Sequence, residues 1–350
     1  MILLTGYPGF IGGRLLESLL ADDPDARVVA LVEPRVAEVA RAAAPEGVEV
    51  LPGDISERRL GLEDGDYERL AAELTSVYHL AAIYDLAVPL ELAQKVNVEG
   101  TGNVVELCER CERLERLHYV STAYVAGMRT GIVYEHELAL GQEFKNHYES
   151  TKVQAELWVR QAMDRVPTTI YRPAIVVGDS RSGETRKFDG PYYMLRVISR
   201  SVRQGTPIPQ FGRAAAPFNV VPVDFVLDAL RAGARDHALA GETFHLVDPE
   251  PVTAAELLTL LAEEYGGRPP GYRLPPQLVE ASLRVGAVRE LFAGAPRESI
   301  RYLNHPVRFS TRRAEALGVR CPRLPEYVGP LVRFFREHEG DPAYAPGTRL

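Results

Sequence analysis

The chain has 350 residues, of which 46% are hydrophobic and 25% are charged. At about 150 residues per domain, this length suits two units or one large α/β domain, and the composition excludes a mainly disordered or collagen-like protein. No apolar run reaches the roughly 18 residues that span a membrane. The first residues, MILLTGYPGF, lack the basic segment of a signal peptide. We therefore expect neither a membrane span nor a secretory signal.

The charge and the cysteine count narrow the class further. Forty basic and 48 acidic residues give a net charge of −8, which disfavours binding to a nucleic-acid backbone. Three cysteines are too few for a disulfide framework. These counts favour a cytoplasmic protein with a small-molecule ligand and no nucleic-acid partner.

Short apolar runs alternate with helical patterns along the first half of the chain. Continuous apolar strands separated by helices are typical of a parallel sheet covered on both faces, with ligands at the carboxyl ends of the strands. The predicted strands are Ile2–Thr5, Arg27–Val32, Val48–Leu51, Val77–Leu80, Leu117–Ser121 and Thr168–Tyr171. The patterns predict an α/β protein with a Rossmann-type doubly wound parallel sheet and a smaller, mostly helical C-terminal lobe.

A glycine-rich turn follows the first predicted strand and opens the next helix. The segment TGYPGFIG at residues 5–12 spaces three glycines as G-x-x-G-x-x-G. Gly6 would permit the tight turn, Gly9 would let backbone N–H groups approach a pyrophosphate, and Gly12 would let the helix pack closely on the strand. In this context we predict a dinucleotide site rather than an ordinary strand–helix turn.

The end of the second predicted strand gives conflicting signals about the cofactor. Glu33 suits a hydrogen bond to a ribose 2′-OH and favours NAD, whereas Arg35 suits a 2′-phosphate and favours NADP. A solvated first-turn arginine is the alternative for Arg35. These two residues leave NAD and NADP both open.

A Tyr-x-x-x-Lys pair opens the helix after the fifth predicted strand. The spacing of four puts Tyr148 and Lys152 on one helix face. A nearby ammonium lowers the pKa of a phenol, so Tyr148 would exchange a proton with a substrate oxygen while hydride moves to or from nicotinamide. Ser121 and Thr122 end the fifth strand and are candidates to bind the substrate carbonyl, with Thr122 favoured. Ordinary roles in a surface helix and a turn cap are the alternatives.

These motifs together resemble the extended short-chain dehydrogenase/reductase superfamily over roughly residues 1–250. The segments that carry the resemblance are TGYPGFIG, GDI at 53–55, HLAA at 79–82, VSTAYVAG at 120–127, YESTK at 148–152 and YRPA at 171–174. The resemblance implies that Asp54 and Ile55 contact adenine and that Asn97 braces the site. It implies a cofactor site formed by Thr5, Gly6, Gly9, Phe10, Ile11, Gly12, Glu33, Arg35, Asp54, Ile55, Leu80, Ala81, Ala82, Asn97, Tyr148, Lys152, Tyr171, Pro173, Ala174, Ile175 and Val176.

Several stretches look closer to one branch, the fatty acyl-CoA reductases and thioester reductase domains. They are GDISERRLGL, VYHLAAIYDL, NVEGTGNVVELC and VSTAYVAG. That branch reduces acyl thioesters to aldehydes or alcohols, usually with NADPH, so the resemblance favours NADP over NAD. The patterns along the chain also divide it into units. Residues 1–178 and 215–249 would form the nucleotide-binding domain, 179–214 and 250–340 the substrate lobe, and 341–350 a flexible tail.

Weaker signals lie in three other places. Arg196, Arg200 and Arg203 share one helix face behind a loop with Arg181, Arg186 and Lys187, and this basic cluster would suit the phosphates of coenzyme A or a solvated surface. Cys108 and Cys111 form a C-x-x-C without a second pair, so no metal site is expected. The amphipathic segment Leu283–Phe292 would cover an acyl pocket, join a dimer or pack in the core.

The sequence thus predicts an NAD(P)H-dependent reductase of an acyl thioester or aldehyde, with a Thr/Ser-Tyr-Lys site and acyl-CoA or another small molecule as substrate. A nucleotide-sugar epimerase or dehydratase, or a hydroxysteroid-type dehydrogenase, is the alternative among enzymes. A non-catalytic NAD(P)-sensing or scaffold protein is the alternative of another class. A homodimer is expected only by analogy.

Overall fold

The computed structural model describes residues 1–84, 88–211, 214–274 and 299–345. Its strands are β1 (Ile2–Thr5), β2 (Val28–Val32), β3 (Glu49–Pro52), β4 (Ser76–His79), β5 (Arg116–Val120), β6 (Gly131–Val133), β7 (Thr168–Pro173), β8 (Ile175–Val177), β9 (Pro209–Phe211), β10 (Val220–Pro222), β11 (Thr243–Leu246), β12 (Tyr272–Leu274) and β13 (Val307–Phe309). Its helices are α1 (Phe10–Asp22), α2 (Ala37–Ala43), α3 (Asp64–Glu73), α4 (Leu90–Ala93), α5 (Gly100–Arg110), α6 (His147–Ala162), α7 (Tyr192–Gln204), α8 (Val223–Arg235), α9 (Ala254–Gly266), α10 (Ser299–Leu303) and α11 (Leu324–His338). A π-helical turn, Gln94–Glu99, joins α4 to α5.

Seven strands form one sheet in the order β11-β7-β5-β4-β1-β2-β3, and every neighbouring pair is parallel. The order reverses at β1, so the glycine turn after β1 lies at the topological switch point, where doubly wound sheets bind ligands. The predicted fold class is confirmed. The sheet also contains β11, which the sequence patterns did not single out.

Both faces of the sheet are covered, which explains why its strands are continuously apolar. Successive side chains of a strand point to opposite faces. Leu4 therefore joins the core beneath α1 and α8, whereas Leu3 joins the core beneath α3, α5 and α6. Both side chains are fully buried.

The segments after β8 build a third core. Leu195 of α7, Leu261 of α9 and Leu331 of α11 belong to this cluster. Between α10 and α11 the chain contacts the nucleotide-binding part, because β13 pairs in parallel with β6 and Leu317 packs into the α1/α8 core.

Two predicted features lie in the C-terminal part. The first half of the flexible tail predicted for residues 341–350 contacts Phe188. Pro342–Tyr344 forms a 3₁₀ turn, the Phe188 backbone N–H donates to the Tyr344 carbonyl at 3.0 Å, and the two rings stack at 5.1 Å. Aromatic burial outweighs the Pro/Gly-rich composition there. The predicted helix Leu283–Phe292 lies outside the described residues. Within the described ranges, no helix has both the length and the apolar character to cross a membrane.

Candidate active site

The candidate site lies at the carboxyl ends of β1, β4, β5 and β7, which are neighbours in the sheet. The turn after β1 carries the glycine loop, defined here as residues 5–12. The end of β5 leads to Ser121 and Thr122, and α6 carries Tyr148 and Lys152. The parallel topology thus brings together motifs that are far apart in sequence.

The glycine loop is too tight for side chains at its glycines. Gly6 has φ +88°, a left-handed conformation that favours glycine. A Cβ on Gly9 or Gly12 would lie 2.7 or 2.5 Å from the Gly6 carbonyl oxygen. Gly9 caps α1 without a side-chain hydrogen bond. The first N–H groups of α1, those of Phe10, Ile11 and Gly12, therefore face outward without a capping side chain, and this cradle fits the phosphates of a dinucleotide.

Thr5 holds the floor of this cradle rather than facing a ligand. Its fully buried hydroxyl accepts hydrogen bonds from the N–H groups of Leu80 at 3.2 Å and Ala81 at 3.1 Å. It also lies 2.8 Å from Nδ1 of His79. Burial lowers the pKa of His79 to about 3, so this imidazole is neutral. The segment 80–82 is thereby fixed beside Gly6, where the resemblance implies that it lines the cofactor.

The residues expected around adenosine are largely occupied by contacts within the chain. Arg35 Nε donates to a carboxylate oxygen of Glu33. Because the two residues form an ion pair with each other, they do not discriminate between NAD and NADP. Asp54 accepts from the Ser56 N–H at 2.8 Å, and the Ile55 side chain packs so closely that a Cβ on Gly100 would lie 2.9 Å from it.

Asn97 braces the site through three hydrogen bonds. Its Oδ1 accepts from the Ile83 N–H at 2.8 Å, and its Nδ2 donates to the Ile83 carbonyl at 3.4 Å and to the Thr151 hydroxyl at 3.1 Å. The residue lies in the π-helical turn, a conformation that is frequent at functional sites. Asn97 thereby connects the segment after β4 to the helix that carries Tyr148.

Tyr148 and Thr122 form a close polar pair. The phenol is half-buried, and burial raises its pKa, while a hydrogen bond with the Thr122 side chain acts in the opposite direction. The Thr122 hydroxyl also accepts from the Tyr124 N–H at 3.2 Å. The structure therefore brings Thr122 to Tyr148, as the sequence favoured, but it does not lower the pKa of the phenol.

Lys152 contacts a different tyrosine. Its ammonium donates to the Tyr119 hydroxyl at 2.9 Å and to the Val120 carbonyl at 3.0 Å. Burial lowers the pKa of Lys152 to about 7, and the Glu156 carboxylate opposes this shift. The amine therefore titrates near neutral pH.

The Ser121 hydroxyl contacts a buried ion pair. Its hydroxyl donates to Glu156 at 2.7 Å, and Glu156 accepts from Nη2 and Nε of Arg172 at 2.6 and 3.0 Å. Ser121 is 3% exposed, and Glu156 and Arg172 are fully buried. The sequence left Ser121 open as a catalytic residue, whereas the structure places its buried hydroxyl against the Glu156–Arg172 ion pair.

Tyr171, which the resemblance placed at the cofactor, has its side chain in the core. Its ring is fully buried in the α1/α8 core, its hydroxyl lies 3.1 Å from Nδ1 of His118, and a Cβ on Gly233 would lie 2.0 Å from that hydroxyl. The side chain cannot reach a cofactor. Pro173, Ala174, Ile175 and Val176 follow it at the carboxyl edge of the sheet, and the Pro173 carbonyl accepts from Thr122 at 3.5 Å.

Three further tyrosines near Tyr148 were missed by sequence reasoning. The Tyr84 ring meets Tyr148 edge to face at 5.1 Å, and Tyr124 meets Tyr302 in the same way at 5.1 Å. Tyr84 and Tyr124 both follow strands that the sequence placed at the site, so their positions could have been predicted. Tyr302 lies in α10, and no sequence pattern links it to the site.

Tyr302 ties the C-terminal lobe to the start of α6. Its hydroxyl donates to Glu149 at 2.7 Å and accepts from Asn146 Nδ2 at 2.8 Å. Asn146 caps α6 by accepting from the Glu149 N–H at 3.0 Å, and the buried Lys145 ammonium lies 3.3 Å from the same carboxylate. This network determines the position of the helix turn that carries Tyr148.

We expect Tyr302→Phe to lower kcat about 10-fold, because small displacements of a catalytic group are costly. The affinity for the cofactor should stay unchanged, since the glycine loop is not touched. Tyr327→Phe is the matched control, because that hydroxyl donates to the Val220 carbonyl at 3.3 Å in the lobe core. Steady-state kinetics with thermal melts would check this. A kcat for Tyr302→Phe equal to that of Tyr327→Phe would show that Tyr302 does not position Tyr148.

The basic cluster does not act as one unit. Arg203 pairs with Glu339 at 3.1 Å and Lys187 with Asp189 at 3.2 Å, whereas Arg186 reaches the glycine loop. Cys108 is buried and the Cys111 thiol donates to the Leu107 carbonyl at 3.2 Å. Within the described ranges, no group of three or more His, Cys, Asp or Glu side chains is arranged to hold a metal.

Comparisons with known proteins agree with this geometry. The family model described as Male sterility protein matches residues 4–230. The chain belongs to the Male sterility protein family. Its fold and motifs are of the extended short-chain dehydrogenase/reductase type.

Three relatives of this Male sterility family member are informative. Glycine betaine reductase ATRR of Emericella nidulans is 30% identical over 277 residues, which are 72% of this chain and 21% of that protein. Fatty acyl-CoA reductase wat of Drosophila melanogaster is 27% identical over 281 residues, covering 68% of this chain and 54% of that protein. The crystal structure of the terminal R domain from the myxalamid PKS-NRPS biosynthetic pathway superposes with a TM-score of 0.82 at 26% identity, over 98% of this chain and 92% of that one. The chain thus spans about a fifth and about half of these two curated relatives.

Proposed function

We propose that the protein reduces an acyl thioester to an aldehyde, with NADPH as the hydride donor and Tyr148 as the proton donor. The observation that carries the proposal is that Thr122, after β5, and Tyr148 and Lys152, on α6, lie at the same edge of the sheet as a glycine loop with an uncapped helix terminus. Similarity to a fatty acyl-CoA reductase supports the thioester as substrate.

Residues at this edge of the sheet would bind the phosphates, the nicotinamide and its ribose. The first N–H groups of α1 would bind the phosphates, the segment 80–82 would line the opposite wall, and residues 173–176 would flank the nicotinamide. When bound, the nicotinamide supplies the hydride. Lys152 lies one helical turn after Tyr148 and would hold the ribose.

Tyr148 and Thr122 would act on the carbonyl oxygen of the substrate. Their hydroxyls donate hydrogen bonds to it and polarise the carbonyl, so that charge developing on the oxygen is stabilised. As hydride adds to the carbonyl carbon, Tyr148 transfers its proton to the oxygen. The adduct then loses the thiol and forms the aldehyde. The overall reaction consumes one thioester, one NADPH and one proton, and it releases one aldehyde, one thiol and one NADP⁺.

Burial raises the pKa of Tyr148, which keeps the phenol protonated and ready to donate before reaction. After donation, the phenolate needs a nearby positive charge. The protonated form of Lys152 would supply it, and Glu156 favours that form. Above a pH of about 7 the buried amine loses its proton in the free protein. The rate constant for reduction is therefore expected to fall on the alkaline side.

A direct assay follows NADPH and NADH consumption with acetyl-, octanoyl- and palmitoyl-CoA and with the matching aldehydes. Turnover of an acyl-CoA by the wild-type protein, with a clear preference for NADPH, is the expected result. Turnover of aldehydes alone would overturn the thioester part of the proposal. Turnover of neither substrate class with either cofactor would overturn it as a whole.

A further inference from the structure

The segment 179–190, called here the β8 loop, runs from the end of β8 across the glycine loop. Arg186 Nη1 donates to the Pro8 carbonyl, although the two residues are 178 positions apart. Nη2 of the same guanidinium lies 3.6 Å from the place where a Cβ on Gly13 would stand. A cation from the substrate-lobe side therefore lies over the first turn of α1.

The β8 loop is fixed in this place by contacts on both sides of Arg186. Arg14 of α1 pairs with Glu184, and the Ser180 hydroxyl donates to Asp224 of α8 at 2.6 Å. At Gly183 the loop passes so close to α11 that a Cβ would lie 2.1 Å from the Pro330 carbonyl oxygen. The position of Arg186 thus follows from the packing of the whole loop.

Arg186 differs from the neighbouring cations in its charge balance. Arg14 pairs with Glu184, and Arg35 pairs with Glu33. Within the described ranges, Arg186 has only the neutral Pro8 carbonyl as a partner, and it is exposed. Its positive charge therefore adds to that of the uncapped N-terminus of α1, and a guanidinium fork is well suited to phosphate.

We propose that Arg186 binds a phosphate group of the dinucleotide, so that the β8 loop covers the cofactor. The inference rests on the proposed function only in requiring that NAD(P) binds at the glycine loop; it does not depend on the thioester. Two phosphates have the required chemistry, the pyrophosphate that NAD and NADP share and the 2′-phosphate that only NADP carries. The first would make Arg186 a general cofactor clamp, and the second would make it the residue that selects NADPH.

Equilibrium titration of NADPH and NADH, followed by cofactor fluorescence, tests this without any substrate. Arg186→Gln is expected to raise the Kd for NADPH about 10-fold, the loss of one charge-assisted contact, and to reduce the salt dependence of binding. An equal loss for NADH identifies the pyrophosphate, whereas a loss confined to NADPH identifies the 2′-phosphate. Unchanged Kd values for both cofactors would overturn the proposal.

Two further variants serve as controls for the Arg186→Gln titration. Arg181→Gln removes an exposed cation from the same loop, and the backbone N–H of that residue donates to Asp179 at 2.9 Å. It should bind both cofactors as the wild type does, and an equal loss in Arg181→Gln would contradict a specific contact. Arg186→Lys keeps the charge without the fork and should bind with intermediate affinity. If acyl-CoA reduction fails while the Arg186 effect on Kd persists, the thioester proposal falls and this inference stands.

Discussion

Replacing Tyr148 with phenylalanine is expected to lower kcat by about 10²- to 10⁴-fold, the usual contribution of a positioned general acid. The ring and its edge-to-face contact with Tyr84 remain, so the loss isolates the hydroxyl proton. The Kd for NADPH should stay within about twofold, because the glycine loop is unchanged. Single-turnover measurements with saturating cofactor would separate the chemical step from binding.

Tyr134→Phe is the control for this experiment. Tyr134 is 36% exposed and stacks on His136 after β6, away from the site, and Glu137 is bonded to its backbone N–H rather than to its hydroxyl. It should retain wild-type turnover. A Tyr148→Phe protein with wild-type kcat would remove Tyr148 from the mechanism and would favour a non-catalytic role for the chain.

Replacing Glu156 with glutamine is expected to lower the free energy of unfolding by about 3–5 kcal/mol, because it leaves the Arg172 guanidinium buried without its counter-charge. Both side chains of this pair are fully buried. Urea denaturation at neutral pH would measure the loss. Glu109→Gln is the matched control, since Glu109 pairs with Arg165 on the surface, where the expected loss is about 0–1 kcal/mol.

The pH dependence of unfolding gives the same experiment a second readout. Arg172 holds the pKa of Glu156 below its ordinary value of 4.5, in spite of burial. A depressed carboxyl pKa stabilises the folded state above the unfolded-state pKa, and this stabilisation is lost as the pH falls. The acid side of the stability profile should therefore be flatter in Glu156→Gln. A variant within 1 kcal/mol of the wild type, with an unchanged acid profile, would show that the pair is not needed for stability.

Much of this architecture was predictable from local patterns. The glycine spacing directly after an apolar strand predicted the tight turn that follows β1, and continuous apolar strands predicted a sheet covered on both faces. Tyr171 could also have been placed correctly. In a strand with a two-residue period, Tyr171 and Arg172 must point to opposite faces, so only one of them could serve the face that carries α6.

Other parts of the site depend on packing that a local pattern does not contain. Tyr302 bonds to Glu149 from 153 positions away, and Arg186 reaches Pro8 from 178 positions away. Ser121 contacts Glu156 and Thr122 contacts Tyr148 because of the backbone geometry at the end of β5. Two adjacent hydroxyl residues look equivalent in sequence but face different partners.

In the proposed reaction, hydride and a proton add across the carbonyl of an acyl thioester. NADPH with deuterium at the transferable C4 position, with the aldehyde trapped as it forms and detected by mass spectrometry, would follow the hydride. We expect one deuterium at the aldehyde carbon and one free thiol for each NADPH consumed. Thiol release with no deuterium in the product would indicate hydrolysis and would overturn the proposed reduction.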